Sequence, residues 1–319
     1  MTPDPRTLFA NHYAFLVGID KYDHFLDLGG ARSDAEAMYG ALHGVGYATD
    51  NLWLVPEEKT SQRGIQKQIQ QFIEKVEEAV ERTRKGRSDP DILVFWAGHG
   101  FPGDHSSYLL TKTTNSLRNI DSEAISLQDL TDRLKRISPA SLTMFFDVCH
   151  SIAREREDLN VNPIGRLLVP MRDAVKRPRN WAFVGVSTWA YEVGLTPHRD
   201  ANRKGGILAD ALQKGIRGEL CLLPLGKQMC CAEDCVVTVE NLVPKLKPAV
   251  DETAAANECA QRIFFLSGIN STSTSTPPTP IGLAVNAFTE MRFQEASLPK
   301  EAELHAKLVV EDGEAFLWP

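Results

Sequence analysis

This chain has little of what marks several large protein classes, and each shortage removes one. No apolar stretch approaches the roughly 20 residues needed to cross a bilayer, so no membrane-spanning helix is expected. Lysine and arginine number 35 against 42 aspartates and glutamates, for a net charge of −7, and no basic face stands out. Such a surface is a poor match for nucleic acid or anionic membrane. The six cysteines contain no Cys-x-x-Cys pair, the spacing typical of structural zinc sites. The first residues, Met1-Thr2-Pro3-Asp4-Pro5-Arg6, have neither the basic start nor the apolar core of a secretory leader. A cytoplasmic protein with mostly free thiols is the expectation.

What is present is enough apolar sequence, 43% of 319 residues, to bury a sizeable core. Two segments about fifty residues apart stand out. Asp91-Ile92-Leu93-Val94-Phe95-Trp96 leads into Ala97-Gly98-His99-Gly100, and Leu142-Thr143-Met144-Phe145-Phe146 leads into Asp147-Val148-Cys149-His150-Ser151. Continuous apolar runs predict strands covered on both faces, as in a parallel sheet between helix layers. Chemistry in such sheets collects at the carboxyl ends of the strands. A histidine between glycines at one strand end and a cysteine at another make a cysteine-nucleophile constellation.

Around these segments the pattern alternates. Tyr13–Gly18 predicts a first strand, and Ser33 an N-cap with Glu36 completing a capping box for a helix to Leu42. Apolar residues at Ile65, Ile69, Phe72, Ile73, Val76 and Val80 predict an amphipathic helix. Further strands are expected at Trp181–Val186 and Ile263–Leu266, with a helix over Gly205–Ile216 and an element of undecided type over Val236–Leu246. The α/β alternation argues for right-handed crossovers. Residues 152–180 carry Arg154, Arg156, Arg166, Arg172, Lys176, Arg177 and Arg179 without a period and read as an exposed basic loop. A Ser/Thr/Pro linker follows at 269–280, and a 281–319 extension of unassigned role follows that.

Taken together, Gly30-Ala31-Arg32-Ser33-Asp34-Ala35, Gly98-His99-Gly100, Asp147-Val148-Cys149-His150-Ser151 and Ala190-Tyr191-Glu192 resemble the caspase-like cysteine proteases. The likeness is to the metacaspase and prokaryotic caspase-like branch, where Asp-x-Cys-His-Ser replaces the Gln-Ala-Cys of true caspases. It implies a three-layer caspase-like sandwich over residues 1–268, with a mostly parallel central sheet, a processing loop at 152–180 and an insertion at 219–260.

The implied chemistry is cleavage of a peptide bond by Cys149 as thiolate, with His99 as base and then as acid to the leaving amine. Gly98 is expected to make a strained turn exposing the imidazole. The backbone N–H groups of Gly100 and Cys149 are the expected oxyanion donors. His150 is not expected to serve as the base, since adjacent residues leaving a strand point in different directions, and His105 serves only if its loop folds back.

In metacaspases the positions matching Asp34 and Asp147 form an acidic pocket for Arg or Lys, and Asp20 and Glu192 are weaker additions. Asp34 has a second reading as a helix-dipole partner, and Asp147 as a structural hydrogen-bond acceptor. Self-processing in the basic loop and simple solvation of that loop stand level. No cofactor is expected. Calcium is not excluded, although Asp121, Glu123, Asp129 and Asp132, like Glu157 and Asp158, lack the Asp-x-Asp spacing of a calcium loop. Cys221, Cys230, Cys231 and Cys235 read as free thiols rather than zinc ligands. Expected partners are peptide substrates with a basic residue before the cut, and an activating protease or regulatory protein. A silent scaffold module and another thiol hydrolase are the rival classes.

Overall fold

The apolar runs become neighbouring strands because each has a hydrophobic layer to meet on both sides. The computed structural model of the protein describes residues 8–83, 89–102, 106–149, 180–187, 205–222, 236–256, 262–269, 280–283, 310–311 and 314–315. In chain order the elements that matter are β1 (His12–Gly18), α1 (Ala31–Gly44), β2 (Leu52–Leu54), α2 (Gln62–Thr83), β3 (Asp91–Pro102) and β4 (Ser107–Leu109). They continue with α3 (Ile120–Glu123), β5 (Ile125–Ser126), α4 (Leu127–Lys135), β6 (Ser141–Cys149), β7 (Asn180–Ser187), α5 (Ile207–Ile216), β8 (Val236–Thr238), α6 (Val239–Ala256), β9 (Arg262–Ile269) and β10 (Pro280–Leu283).

The central sheet runs β2-β1-β3-β6-β7-β9. The first four pairings along this path are parallel and the last, β9 on β7, is antiparallel. The chain steps outward from β1 to β2 and then returns to the other side of β1 with β3. That reversal opens a crevice at the carboxyl ends of β1 and β3, where an open α/β sheet places its ligands.

Side chains alternate along each strand. Phe15, Val17, Val94, Trp96, Met144 and Phe146 pack under α2 and α4. Ala14, Leu16, Leu93, Phe95, Ala97 and Phe145 pack under α1, α5 and α6. This is the three-layer caspase-like sandwich. Among the described residues no helix is long and apolar enough to cross a membrane.

Three expectations change. The helix after β1 begins at Ala31, not after Ser33, and Ser33 Oγ donates to the Gly30 carbonyl instead of capping. A remote acid takes the capping role: Asp20 Oδ1 accepts from the N–H groups of Gly30 and Ala31 at 3.0 and 2.7 Å, and Oδ2 from Arg32 at 3.3 Å. Gly98 makes no turn, since β3 continues through it to Pro102. Finally, much of the segment read as an insertion is core: Leu242, Leu246, Val250 and Ala254 of α6 are buried. Of the segment read as a linker, 269–280, only Ile269 at the end of β9 and Pro280 at the start of β10 are described, and β10 pairs antiparallel with β8.

Candidate functional site

Three chain segments converge where β3 and β6 end. His99 and Cys149 are direct partners in the parallel ladder, the last pair of its register. Beyond that point β3 turns to antiparallel pairing with β4, Gly100 opposite Leu109. The Leu110 N–H donates to the His99 carbonyl at 2.9 Å, which makes 99 and 110 the hydrogen-bonded pair. By the alternation of an antiparallel ladder, the Gly100 N–H is therefore turned away from β4.

His99 is almost wholly buried, at 2% exposure, not displayed on a turn. The loop between β1 and α1 holds it from two sides. Its Nε2 lies 2.8 Å from the Leu26 carbonyl, and its backbone N–H donates to the Tyr22 hydroxyl at 2.9 Å. The Tyr22 ring lies against the imidazole with centroids 4.6 Å apart. A carbonyl only accepts, so Nε2 carries the hydrogen, leaving Nδ1 as the ring atom that takes up or gives off a second proton. Burial lowers the His99 pKa, opposed in part by the Leu26 contact. The neutral form is thereby favoured at neutral pH. Gly98 has a spatial task here: a Cβ there would stand 2.7 Å from the Tyr22 hydroxyl.

Two carboxyls lie on the α1/α5 side of the same sheet end. Asp147, on β6 two residues before Cys149, is fully buried, and Asp34, in the first turn of α1, is 4% exposed. Each accepts a backbone N–H from the start of α5: Asp34 Oδ2 from Gly206 at 2.8 Å, and Asp147 Oδ2 from Ala209 at 3.2 Å. Asp147 Oδ1 is buried with no partner among the described residues. Burial raises both acids, Asp34 to about 8 and Asp147 to about 7, with the Asp147 charge adding to the rise at Asp34. The pair therefore holds roughly one negative charge near neutrality and one proton that a cation would expel. Asp20 and Asp210 add weaker repulsion at Asp34.

The family model for the caspase domain matches residues 11–219. The chain belongs to the caspase family. Caspase-domain proteins are in general cysteine peptidases acting on protein substrates. No curated protein sequence matches this one. Among solved structures, the chain is similar to protein GSU0716 from Geobacter sulfurreducens (11% identity, 81% of this chain and 93% of that one, TM-score 0.42). It is also similar to pro-Sf-caspase-1 (13%, 86% and 88%, 0.44) and to the Drosophila initiator caspase Dronc (13%, 77% and 75%, 0.41).

In this caspase-family chain the other candidates fall as follows. Asp20 lies in the cleft loop, but both its oxygens are engaged by the start of α1. Glu192, His105, His150, Glu157, Asp158, Cys230, Cys231, Cys235 and the basic positions from Arg154 to Arg179 lie outside the described residues. Cys221 is described only in its backbone, in the turn after α5. The four described acids among those weighed for calcium are each engaged. Asp121 accepts from the Tyr108 hydroxyl, Glu123 from the N–H groups of Asn115 and Ser116, Asp129 pairs with Arg133, and Asp132 with Lys135. Among the described residues no cluster of three or more His, Cys, Asp or Glu side chains is arranged to hold a metal.

The sequence reading missed Tyr22 and Leu26. Leu26 acts through its backbone oxygen, which leaves no mark in residue type. An aromatic just after the first strand was the only available hint of Tyr22.

Proposed function

We propose that this protein is a cysteine endopeptidase of metacaspase type that cleaves after Arg or Lys in a cytoplasmic setting. The observation that carries the proposal is the pairing of His99 with Cys149 across one strand ladder, with Asp147 and Asp34 on the adjoining face.

The Cys149 thiol passes its proton to His99, and the thiolate adds to the substrate carbonyl. The backbone N–H groups of Gly100 and Cys149 receive the oxyanion, each such donor contributing about 10²–10³ in rate. As the tetrahedral adduct collapses, the C–N bond breaks and the amine leaves with the His99 proton. Water, deprotonated by His99, then cleaves the thioester and restores the thiol. An arginine or lysine before the cut enters beside Asp34 and Asp147 and displaces the proton that their burial retains. That ionic contact favours a basic over an acidic or apolar residue. Glu192 is a further candidate wall of this pocket. The loop holding Arg154, Arg156, Arg166, Arg172, Lys176, Arg177 and Arg179 offers matching bonds for self-cleavage or for an activating protease.

Paired fluorogenic peptides that differ only in Arg against Asp at the cut position test this reading, with and without an alkylating agent. The arginyl peptide alone is expected to be cleaved, alkylation and Cys149→Ala are expected to stop it, and the Cys149→Ala chain should stay intact where wild type is nicked. Cleavage of the aspartyl peptide, or cleavage that survives Cys149→Ala, overturns it.

A further inference from the structure

Both protein groups described as holding His99 come from one short turn. Tyr22 supplies the hydroxyl that meets the backbone, and Leu26, four residues on, supplies the carbonyl that meets Nε2. The ends of the loop are tied by a backbone bond from the Leu28 N–H to the Asp20 carbonyl at 2.8 Å, and its middle is held by the Asp23 N–H donating to the Lys112 carbonyl at 2.9 Å. Between them, one side chain spans the turn. Asp27 Oδ1 accepts from the Tyr22 N–H at 3.0 Å, and Oδ2 accepts from Lys21 Nζ at 2.7 Å. Asp27 directly follows Leu26, whose carbonyl accepts from the imidazole, and its carboxylate is tied to Tyr22, which carries the phenol.

We propose that Asp27 is a positioning residue for His99: its carboxylate closes the turn so that the Leu26 carbonyl and the Tyr22 hydroxyl reach the imidazole together. The proposal rests on His99 being the catalytic base. It deepens that reading by naming what holds the base in place.

Two bonds compete for the credit. The Lys21–Asp27 ion pair is solvent-exposed, with side chains 61% and 47% accessible, and pairs of that kind contribute little. The bond to the Tyr22 N–H constrains the backbone itself, at one contact residue and from the position next to the other. The acceptor atom is therefore what matters, not the charge. Asparagine retains an acceptor oxygen of the same reach, and alanine does not.

The test uses the full chain with Asp27→Ala, Asp27→Asn and Lys21→Met, reading kcat and KM on an arginyl peptide. In parallel, the His99 ring is titrated by NMR in a Cys149→Ala background. Asp27→Ala is expected to lower kcat by about 10-fold or more with KM changed less than about 2-fold, since a misplaced catalytic group costs rate before binding. Lys21→Met should match wild type, and Asp27→Asn should recover most of the loss. The titration of His99 should shift in Asp27→Ala, because the turn supplies both the Leu26 contact that raises its pKa and part of the burial that lowers it. A merely structural defect would leave that titration in place. An unmoved titration, or Asp27→Asn as impaired as Asp27→Ala, overturns the proposal. Absence of thiol-dependent cleavage by wild type would instead overturn the function, while the titration still reports on the clamp.

Discussion

Raising the pH should destabilise this protein in a way that two side chains account for. An acid whose pKa is higher in the folded than in the unfolded chain holds its proton longer when folded. Its contribution is intact below the unfolded value, is lost as pH climbs towards the folded value, and is constant above it. Asp147 and Asp34 rise from an ordinary 3.8 to about 7 and about 8, so the window of falling stability extends to about pH 8. Between pH 6 and pH 9 the unfolded carboxyls are ionised throughout. Asp34 then stays protonated for about two of those pH units and Asp147 for about one, a loss of about 4 kcal/mol at about 1.4 per unit. For a chain of this size that is roughly 10 °C in unfolding midpoint.

The assay is thermal unfolding at both pH values for wild type and for the double variant Asp34→Asn with Asp147→Asn. Other groups titrate equally in both proteins and cancel in the difference. The double variant should lose roughly 10 °C less than wild type across that range. It should also lose cleavage of arginyl peptides, so a gain in alkaline stability would accompany a loss of function. Parallel pH curves for the two proteins would refute the burial argument.

Gly205→Ala should disturb the acid pair from the other side. A Cβ there would stand 2.4 Å from Asp34 Oδ1, and the residue has φ +153°, so destabilisation above about 1 kcal/mol and a raised KM for arginyl peptides are expected from melting and kinetics. Asp20→Ala removes the acceptor for three N–H groups at the start of α1 and should cost about 1–2 kcal/mol by denaturant unfolding. Tyr22→Phe keeps the ring but leaves the buried His99 N–H without that acceptor. A loss of about 1–3 kcal/mol is expected in the same assay, and wild-type stability would contradict it.

The sheet was legible because its central strands are continuous apolar runs, a pattern that survives without tertiary information. His99 and Cys149 were legible for the same reason: each sits where such a run ends. What escaped the sequence was whatever depends on distant partners. The capping box at Ser33 and Glu36 is a sound local signal, yet Asp20 caps the helix from more than ten residues earlier, while Glu36 pairs with Arg32. The element over Val236–Leu246 had no decided type; Pro244 and Pro248 stand against a helix, yet α6 forms and buries Leu242, Leu246 and Val250. For Asp147 the reading as a structural hydrogen-bond acceptor is met by the Ala209 N–H, and Asp34, in the first turn of α1, accepts from Gly206 on a neighbouring segment that no local pattern reveals.

The Leu26 side chain stands 83% exposed while its main-chain oxygen meets the imidazole. The useful atom at this position is common to every amino acid, so the side chain is a spare attachment point. A fluorophore or photo-crosslinker installed there would sit one residue's reach from the chemistry without altering any group that takes part in it.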